Sequence, residues 1–304
     1  VYDENGNKKM GPTYTVKQHT SELYASNAID FLQNKATDSD NPFLMYVAFN
    51  APHDPRQAPK RFVDMYPTDT IKIPENFVSE HPFDQGDHKL RDELLAPFPR
   101  TEHQIQVHRR EYYAIISHMD EQIGRILTAL EKSGKANNTY IIFSADHGLA
   151  VGEHGLLGKQ NQYDHSVRMP FFIAGPAIKA GTQTDALIYM QSVFATTCDL
   201  AGIEVPEIVD FPSLKGILDG KEEKVYDAVF GSYRHFQRMV RTEKHKMILY
   251  PHNGNQQLFD IEEDPKEMTN LINDEKYAGV KDKLYAKLLV LQKEVGDTLT
   301  IRIR

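Results

Sequence analysis

The chain has 304 residues, of which 40% are hydrophobic and 26% are charged, and its formal net charge is -8. Fifteen Phe and fifteen Tyr supply enough apolar surface for a large core, which excludes a disordered chain. The negative charge argues against nucleic acid as a partner, because such binding needs a basic surface. No apolar run is long enough to cross a membrane. The single cysteine, Cys198, excludes an intrachain disulfide.

The first two thirds of the chain alternate between predicted helices and apolar strands. Apolar residues at helical spacing predict helices over residues 15–34 and 101–132. Uninterrupted apolar runs predict strands covered on both faces, as in a parallel sheet, at 43–49, 140–144 and 170–174. This alternation favours an α/β domain over residues 1–223, with a mostly parallel or mixed sheet sandwiched by helices. Residues 55–100 are rich in proline and charge and predict a long irregular excursion.

The pattern changes near residue 224. Short strand candidates then follow each other closely, at residues 227–233, 237–242, 245–250 and 257–260. Asp264 and Pro265 indicate the start of a helix, and residues 281–294 have the spacing of an amphipathic helix. We therefore predict a C-terminal α+β subdomain over residues 224–304, with a small antiparallel sheet and a helix.

Polar residues cluster where the predicted strands end. Asp146 and His147 follow the strand at 140–144, and a carboxylate beside an imidazole at a strand end is a candidate metal-ligand pair. The same dipeptide is common in solvated turns, so these two residues alone leave both interpretations open. The segments 50–57 and 153–168 are the other two polar clusters.

Several ordered segments together resemble the sulfatase family of the alkaline phosphatase superfamily. They are FSADHG at 143–148, GEHG at 152–155, Gly158-Lys159, Arg168-Met169-Pro170, the Pro-His-x-Pro element at 52–55 and a C-terminal signature over 239–271. The resemblance covers nearly the whole chain. Segments in the right order and at the right spacing are far more specific than any one of them.

The resemblance assigns roles to four residues. Asp146 and His147 would bind a divalent cation, Ca²⁺ first and Mg²⁺ as the alternative, together with two further carboxylates. Lys159 would bind a sulfate oxygen, and His53 would contact the sulfate and protonate the leaving oxygen. Taken singly, His53 could cap a turn and Lys159 could be a solvated lysine. We expect all four at one crevice along the carboxyl edge of the sheet.

The family nucleophile is a formylglycine made from Cys or Ser in the pattern Cys/Ser-x-Pro/Ala-x-Arg, and no such pattern occurs in residues 1–304. We expect it in an upstream segment, together with the remaining carboxylate ligands. On this interpretation the 304-residue chain alone is inactive, and it associates with the upstream segment or with itself.

The resemblance implies hydrolysis of a sulfate ester, on a small molecule or an oligosaccharide and preferably on a carbohydrate. The alternatives are a phosphoester or phosphonate hydrolase of the same superfamily, since the same cations would serve either anion, and a noncatalytic glycan-binding fragment. The family also implies a periplasmic, extracellular or lysosome-like compartment. Residues 55–100 and 231–238 are expected to shape the substrate pocket.

Overall fold

The computed structural model describes residues 16–37, 41–86 and 91–301, which form two compact units. The first unit comprises the described residues up to Pro67 and Arg110–Ala136, and the second comprises Thr68–Arg109 and the described residues from Asn137 onwards. This division differs from the boundary predicted at residue 224, because the C-terminal sheet and the segment that carries the motifs belong to one unit.

The first unit is built on helices α1 (Thr20–Asn34), α2 (Lys60–Val63) and the larger part of α3 (Glu102–Lys132). The Nδ1 atom of His19 accepts a hydrogen bond from the Ser21 backbone N–H at 3.1 Å and so caps α1. Helix α1 buries the small face formed by Ala25, Ala28 and Leu32. The two long helices thus confirm the periodicity seen in the sequence.

Residues 43–49 do not form the buried strand that we predicted. They pair with no other strand among the described residues, and Leu44 and Tyr46 are 83% and 89% exposed. An apolar run becomes a strand only where a second backbone lies alongside to accept its hydrogen bonds. The described part of the first unit offers no such backbone.

The motif-bearing part of the second unit contains a two-stranded sheet. Strands β1 (Ile141–Ser144) and β2 (Phe171–Ala174) pair antiparallel, with Ile141 opposite Ala174 and Ser144 opposite Phe171. The mixed α/β class is confirmed, but the expected parallel pairing is absent from the described residues. A parallel pair needs a crossover, usually a helix, whereas the 145–170 connection holds only the four-residue helix α4 (Asp164–Val167).

A four-stranded antiparallel sheet follows, as predicted. Its strands lie in the order β3 (Val229–Tyr233), β4 (Gln237–Arg241), β5 (His245–Tyr250) and β6 (Asn255–Asp260). Helix α7 (Ala278–Glu294) contacts β3, β4 and β5. The two shorter helices between the sheets are α5 (Ser192–Ala201) and α6 (Lys215–Leu218).

Both faces of this sheet are buried, each against a different partner. Because side chains alternate along a strand, Val240, Met247, Leu249 and Leu258 pack with Leu284 and Leu288 of α7. The opposite face packs against residues 145–170, here called the motif segment, in a cluster of Ala150, Leu156, Tyr163, Met239, Ile248, Tyr250, Phe259 and Ile261. The sheet therefore supports the residues in which the sequence concentrates its chemistry.

The helix predicted to begin at Asp264 and Pro265 is not formed. The Asp264 carboxylate instead accepts the backbone N–H of Thr269 at 2.7 Å, and Glu267 adopts a positive φ of 54°. These features close a turn. Among the described residues, none of the helices has the length and apolar composition needed to span a membrane.

Replacement of Leu288 by Ala tests the packing of α7 on the sheet. Leu288 is fully buried, so Leu288→Ala should lower the free energy of unfolding by about 2 to 5 kcal/mol. Leu289, the next residue, is 41% exposed, and Leu289→Ala should cost less than about 0.5 kcal/mol. Urea unfolding of both variants measures the difference, and equal costs would contradict this packing.

Candidate functional site

Asp146 and His147 lie just beyond the end of β1, with their side chains side by side. Asp146 Oδ2 is 3.6 Å from His147 Nε2, and Asp146 Oδ1 accepts the backbone N–H of His147 at 3.0 Å. His147 Nδ1 lies 2.8 Å from the carbonyl oxygen of Gly148. A carbonyl oxygen only accepts hydrogen bonds, so Nδ1 carries a proton, and Nε2 is the ring nitrogen that faces the carboxylate.

This pair fits a divalent cation as part of a larger ligand set. The Asp146 side chain is 82% exposed and accessible to an ion, and the hydrogen bond from Nδ1 to Gly148 leaves Nε2 as the His147 nitrogen that is available to bind it. Within the described ranges, no group of three or more His, Cys, Asp or Glu side chains is placed to hold a metal. Two donors provide too few ligands for a hard cation, so this pair needs oxygen atoms from elsewhere.

A glycine is required beside this pair. A Cβ atom on Gly148 would lie 2.0 Å from the backbone oxygen of His165, well inside van der Waals contact. The Gly148 N–H donates to the Ser166 carbonyl at 2.8 Å. This hydrogen bond joins the chain that follows β1, where Asp146 and His147 lie, to the C-terminal part of the motif segment.

The GEHG segment at 152–155 forms a tight turn. Val151, Gly152 and His154 all have positive φ, at 43°, 105° and 52°. The turn is closed by backbone hydrogen bonds from Gly152 N to Leu156 O at 2.7 Å and from Ala150 N to Gly158 O at 3.0 Å. A valine and a histidine in this conformation each cost about 1 kcal/mol or more, so the surrounding contacts must hold the turn in place.

The His154 ring supplies one of these contacts. It stacks on Tyr163 with ring centroids 3.9 Å apart, and the amide nitrogen of Asn76 lies 3.1 Å from His154 Nε2. Burial, with the nearby His81 and Lys246, lowers the pKa of His154 to about 4. The ring is therefore neutral at physiological pH, and its Nε2 accepts the Asn76 hydrogen bond. These contacts give His154 a structural role.

Lys159 follows the turn, and its ammonium nitrogen lies 2.8 Å from Asp92 Oδ2. Burial by itself raises the pKa of Asp92, but hydrogen bonds from Arg91, Lys159 and Gln160 outweigh that effect and hold the pKa far below its usual range. Asp92 is therefore a carboxylate at any working pH. Asp92, in the stretch 55–100 that is rich in proline and charge, is thus the direct partner of the predicted anion-binding Lys159.

Beyond Lys159, Asp164 fastens the segment to the C-terminal sheet. Its two carboxylate oxygens accept hydrogen bonds from Lys246 at 2.5 Å and from Arg241 at 2.6 Å. Lys246 is fully buried and also binds Glu267 Oε1 at 2.7 Å, and Glu267 Oε2 accepts the Asp164 backbone N–H at 2.7 Å. Burial raises the pKa of Asp164, but Lys246 and Arg241 outweigh it and lower the pKa below its usual value.

His53 belongs to the first unit, whereas Asp146, His147 and Lys159 belong to the second. The His53 side chain is exposed, its backbone N–H donates to Asn50 O at 3.0 Å, and its Nδ1 lies 3.0 Å from Asp54 O. The structure thus brings Asp146 and His147 together. A shared crevice for all four residues stays a prediction.

Sequence reasoning missed the residues that hold the motif segment. Asp92 and Glu93 lie in an aperiodic stretch in which charged residues are usually solvated, and no local pattern distinguishes them. Lys246 left a weak signal, because it is a charged residue beside the apolar run 247–250 of a predicted strand. A lysine side chain at that position either pairs with a buried carboxylate or points to the exposed side of the strand, because an unpaired buried charge is costly.

The pKa of His154 predicts how the segment responds to acid. The unfolded chain takes up a proton near pH 6.5, whereas the folded chain does so only near pH 4. Stability is therefore lost as the pH falls between these values, by up to about 3 kcal/mol from this group. His154→Asn should flatten this pH dependence, since Asn tolerates the positive φ.

Urea unfolding between about pH 7 and pH 4.5 measures this effect. His103→Asn on the exposed surface of α3 is the matched control and should keep the pH dependence of the original protein. A His154→Asn variant with an unchanged slope would contradict the buried neutral histidine.

Comparison with known proteins identifies the family. The Sulfatase family model matches residues 2–203, and the model for the C-terminal region of N-sulphoglucosamine sulphohydrolase matches residues 152–294. An arylsulfatase of Clostridium perfringens is 32% identical over 289 residues, which cover 92% of this chain and 59% of that protein. The present chain therefore spans little more than half of that relative.

Two solved structures have similar folds. The structure of BT4656 in complex with its substrate D-glucosamine-2-N,6-O-disulfate matches 93% of this chain and 71% of that one, with a TM-score of 0.78 and 25% identity. The phosphonate monoester hydrolase of Agrobacterium radiobacter matches 93% of this chain and 62% of that one, with a TM-score of 0.78 and 26% identity. Because the family model covers two thirds of the residues, the chain belongs to the sulfatase family.

Proposed function

We propose that the whole protein is a sulfatase that hydrolyses a sulfate ester of a sugar, and that this chain supplies part of its active site. The observation that carries the proposal is the family match over residues 2–203, which contains Lys159, His53 and the pair formed by Asp146 and His147. A noncatalytic glycan-binding role is less favoured, because the chain keeps these four residues together with the ordered motifs around them.

Lys159 is proposed to bind a sulfate oxygen. Negative charge grows on the bridging and sulfuryl oxygens as the ester bond breaks, and a fixed ammonium stabilises that charge without reorganising. The turn at 151–155 and the Asp92 carboxylate hold Lys159 in one place before substrate arrives. A lysine fixed in this way suits electrostatic catalysis better than one on a mobile loop.

His53 is proposed to donate a proton to the leaving oxygen. A sugar alkoxide is a poor leaving group, so its departure depends on protonation, and imidazole has a suitable pKa range for a proton donor near neutral pH. The attack itself requires a nucleophile, which in this proposal is a formylglycine outside residues 1–304. In this proposal, residues 1–304 associate with the segment that carries the formylglycine.

Asp146 and His147 are proposed as two ligands of a divalent cation, preferably Ca²⁺, with Mg²⁺ as the alternative. Carboxylates outside residues 1–304 would complete the set, because Ca²⁺ takes six to eight mainly oxygen ligands. When bound, the cation would add positive charge beside the sulfate ester. A periplasmic, extracellular or lysosome-like compartment belongs to the same proposal and rests on the family resemblance alone.

The substrate class is supported by the relatives. BT4656 was solved with a disulfated glucosamine, which favours a sulfated sugar here. The second candidate is phosphonate or phosphate ester hydrolysis, favoured by the similar structure of the phosphonate monoester hydrolase. The same cationic groups would serve either anion, so only turnover distinguishes the two.

The test is an assay of the whole protein, with formylglycine formed, against 4-nitrophenyl sulfate, sulfated glucosamines and a phenyl phosphonate ester in Ca²⁺. We expect the sulfate esters to be cleaved, and Lys159→Met to lower kcat/KM by about 100-fold or more. Lys132→Met, at the exposed end of α3, is the control and should leave turnover unchanged. Residues 1–304 alone should give no turnover. Cleavage of the phosphonate ester but of no sulfate ester would move the assignment to the second candidate.

The role of His53 predicts a dependence on the leaving group. His53→Asn should lower kcat for a sugar sulfate by about 100-fold or more, because the alkoxide must be protonated as it leaves. The same variant should lower kcat for 4-nitrophenyl sulfate much less, since nitrophenolate leaves without a proton. His103→Asn serves as the control. Equal losses on both substrates would show that His53 is not the proton donor.

A further inference from the structure

The contact between Lys159 and Asp92 is almost shielded from water. The Asp92 side chain is 2% exposed and that of Lys159 is 15% exposed, with 2.8 Å between Nζ and Oδ2. The same Oδ2 accepts the side-chain amide of Gln160 at 3.0 Å, and Oδ1 accepts Arg91 Nε at 2.8 Å. Asp92 is thus fixed from both sides, and it fixes the ammonium in turn.

The neighbouring Glu93 holds the backbone of the same segment. Its Oε1 accepts the Gly158 N–H at 2.7 Å, and its Oε2 accepts the Leu157 N–H at 3.0 Å. Arg100 binds the same carboxylate at 2.6 Å and also donates to the Gly155 carbonyl. Two consecutive acidic residues therefore position Lys159. Asp92 binds the Lys159 ammonium, and Glu93 binds the backbone that precedes Lys159.

A buried carboxylate beside an anion-binding lysine has two opposing effects. It restrains a long, flexible side chain that would otherwise lose rotamer entropy when substrate binds. It also weakens the attraction of the ammonium for any second anion, because two negative charges compete for one positive charge. That weakening is larger for the dianionic product sulfate than for the monoanionic ester.

We infer that Asp92 is a positioning residue for Lys159 that also limits retention of the sulfate product. The inference rests on the proposed function, in which Lys159 binds the sulfuryl oxygens. In this role Asp92 contacts neither the substrate nor the divalent metal ion, and it acts only through Lys159. Its negative charge keeps the lysine in place while it allows the doubly charged product to leave.

Two substitutions separate charge from position. Asp92→Asn keeps the size and an acceptor oxygen but removes the charge, so the inhibition constant of inorganic sulfate should fall about fivefold or more while kcat falls. Asp92→Glu keeps the charge but moves the carboxylate, so the inhibition constant should stay near that of the original enzyme while kcat falls. Loosening of the segment alone would weaken sulfate binding and turnover together.

The matched control is Asp219→Asn, which removes the same charge from a surface ion pair with Lys215 and Lys221 on and beside α6. It should change neither sulfate inhibition nor kcat. Unfolding midpoints check that each variant is folded. A sulfate inhibition constant that is unchanged or higher in Asp92→Asn overturns the inference.

A second readout does not depend on turnover. Inorganic sulfate should protect Lys159 from an amine-acylating reagent, as followed by mass spectrometry, and Asp92→Asn should need about fivefold less sulfate for equal protection. If the enzyme turns over sulfate esters but this shift is absent, only the inference about Asp92 fails. If sulfate protects Lys159 in neither protein, the anion-binding role of Lys159 fails with it.

Discussion

The carboxylate of Asp164, whose side chain is 12% exposed, makes the contacts on which the arrangement of the second unit depends. It joins the motif segment to Lys246 and Arg241, which lie 82 and 77 positions later in the chain. Lys246 is fully buried, and removal of one partner from such a group typically costs about 3 to 5 kcal/mol, because it strands a charge without water. The segment and the sheet must therefore fold together.

This dependence explains why the C-terminal sheet lies beside the candidate site, although its strands contain none of the four predicted site residues. The turn at 151–155 holds residues in left-handed conformations, which free peptides avoid. External contacts must supply the energy that keeps it closed. The sheet does so from one side through Asp164 and Tyr163, and the described part of residues 68–100 does so from the other through Asn76 and Glu93.

Local periodicity predicted the elements that form from local contacts. Helix α3 and the strands of the C-terminal sheet follow from apolar spacing, and their observed bounds lie close to the expected ones. Direction and pairing did not follow, because an apolar run does not specify its neighbour. The run 43–49 remained unpaired in the described chain, and β1 and β2 paired antiparallel.

The candidate site divides in the same way. Asp146, His147, Lys159 and His53 were found because their segments resemble a family, and the shared metal role of Asp146 and His147 stays a prediction. Asp92 could not be found in this way. Its role depends on a contact between residues 67 positions apart, and nothing in the surrounding sequence indicates that its charge is buried.

The two-sided burial of the C-terminal sheet limits how this protein can vary in length during evolution. Side chains alternate along β5, so inserting or deleting a single residue would turn Lys246 toward the apolar surface of α7 and Met247 toward Asp164. Selection would eliminate such one-residue shifts of the strand register. Insertions should instead accumulate at hairpin ends such as 251–254, where no strand parity is disturbed.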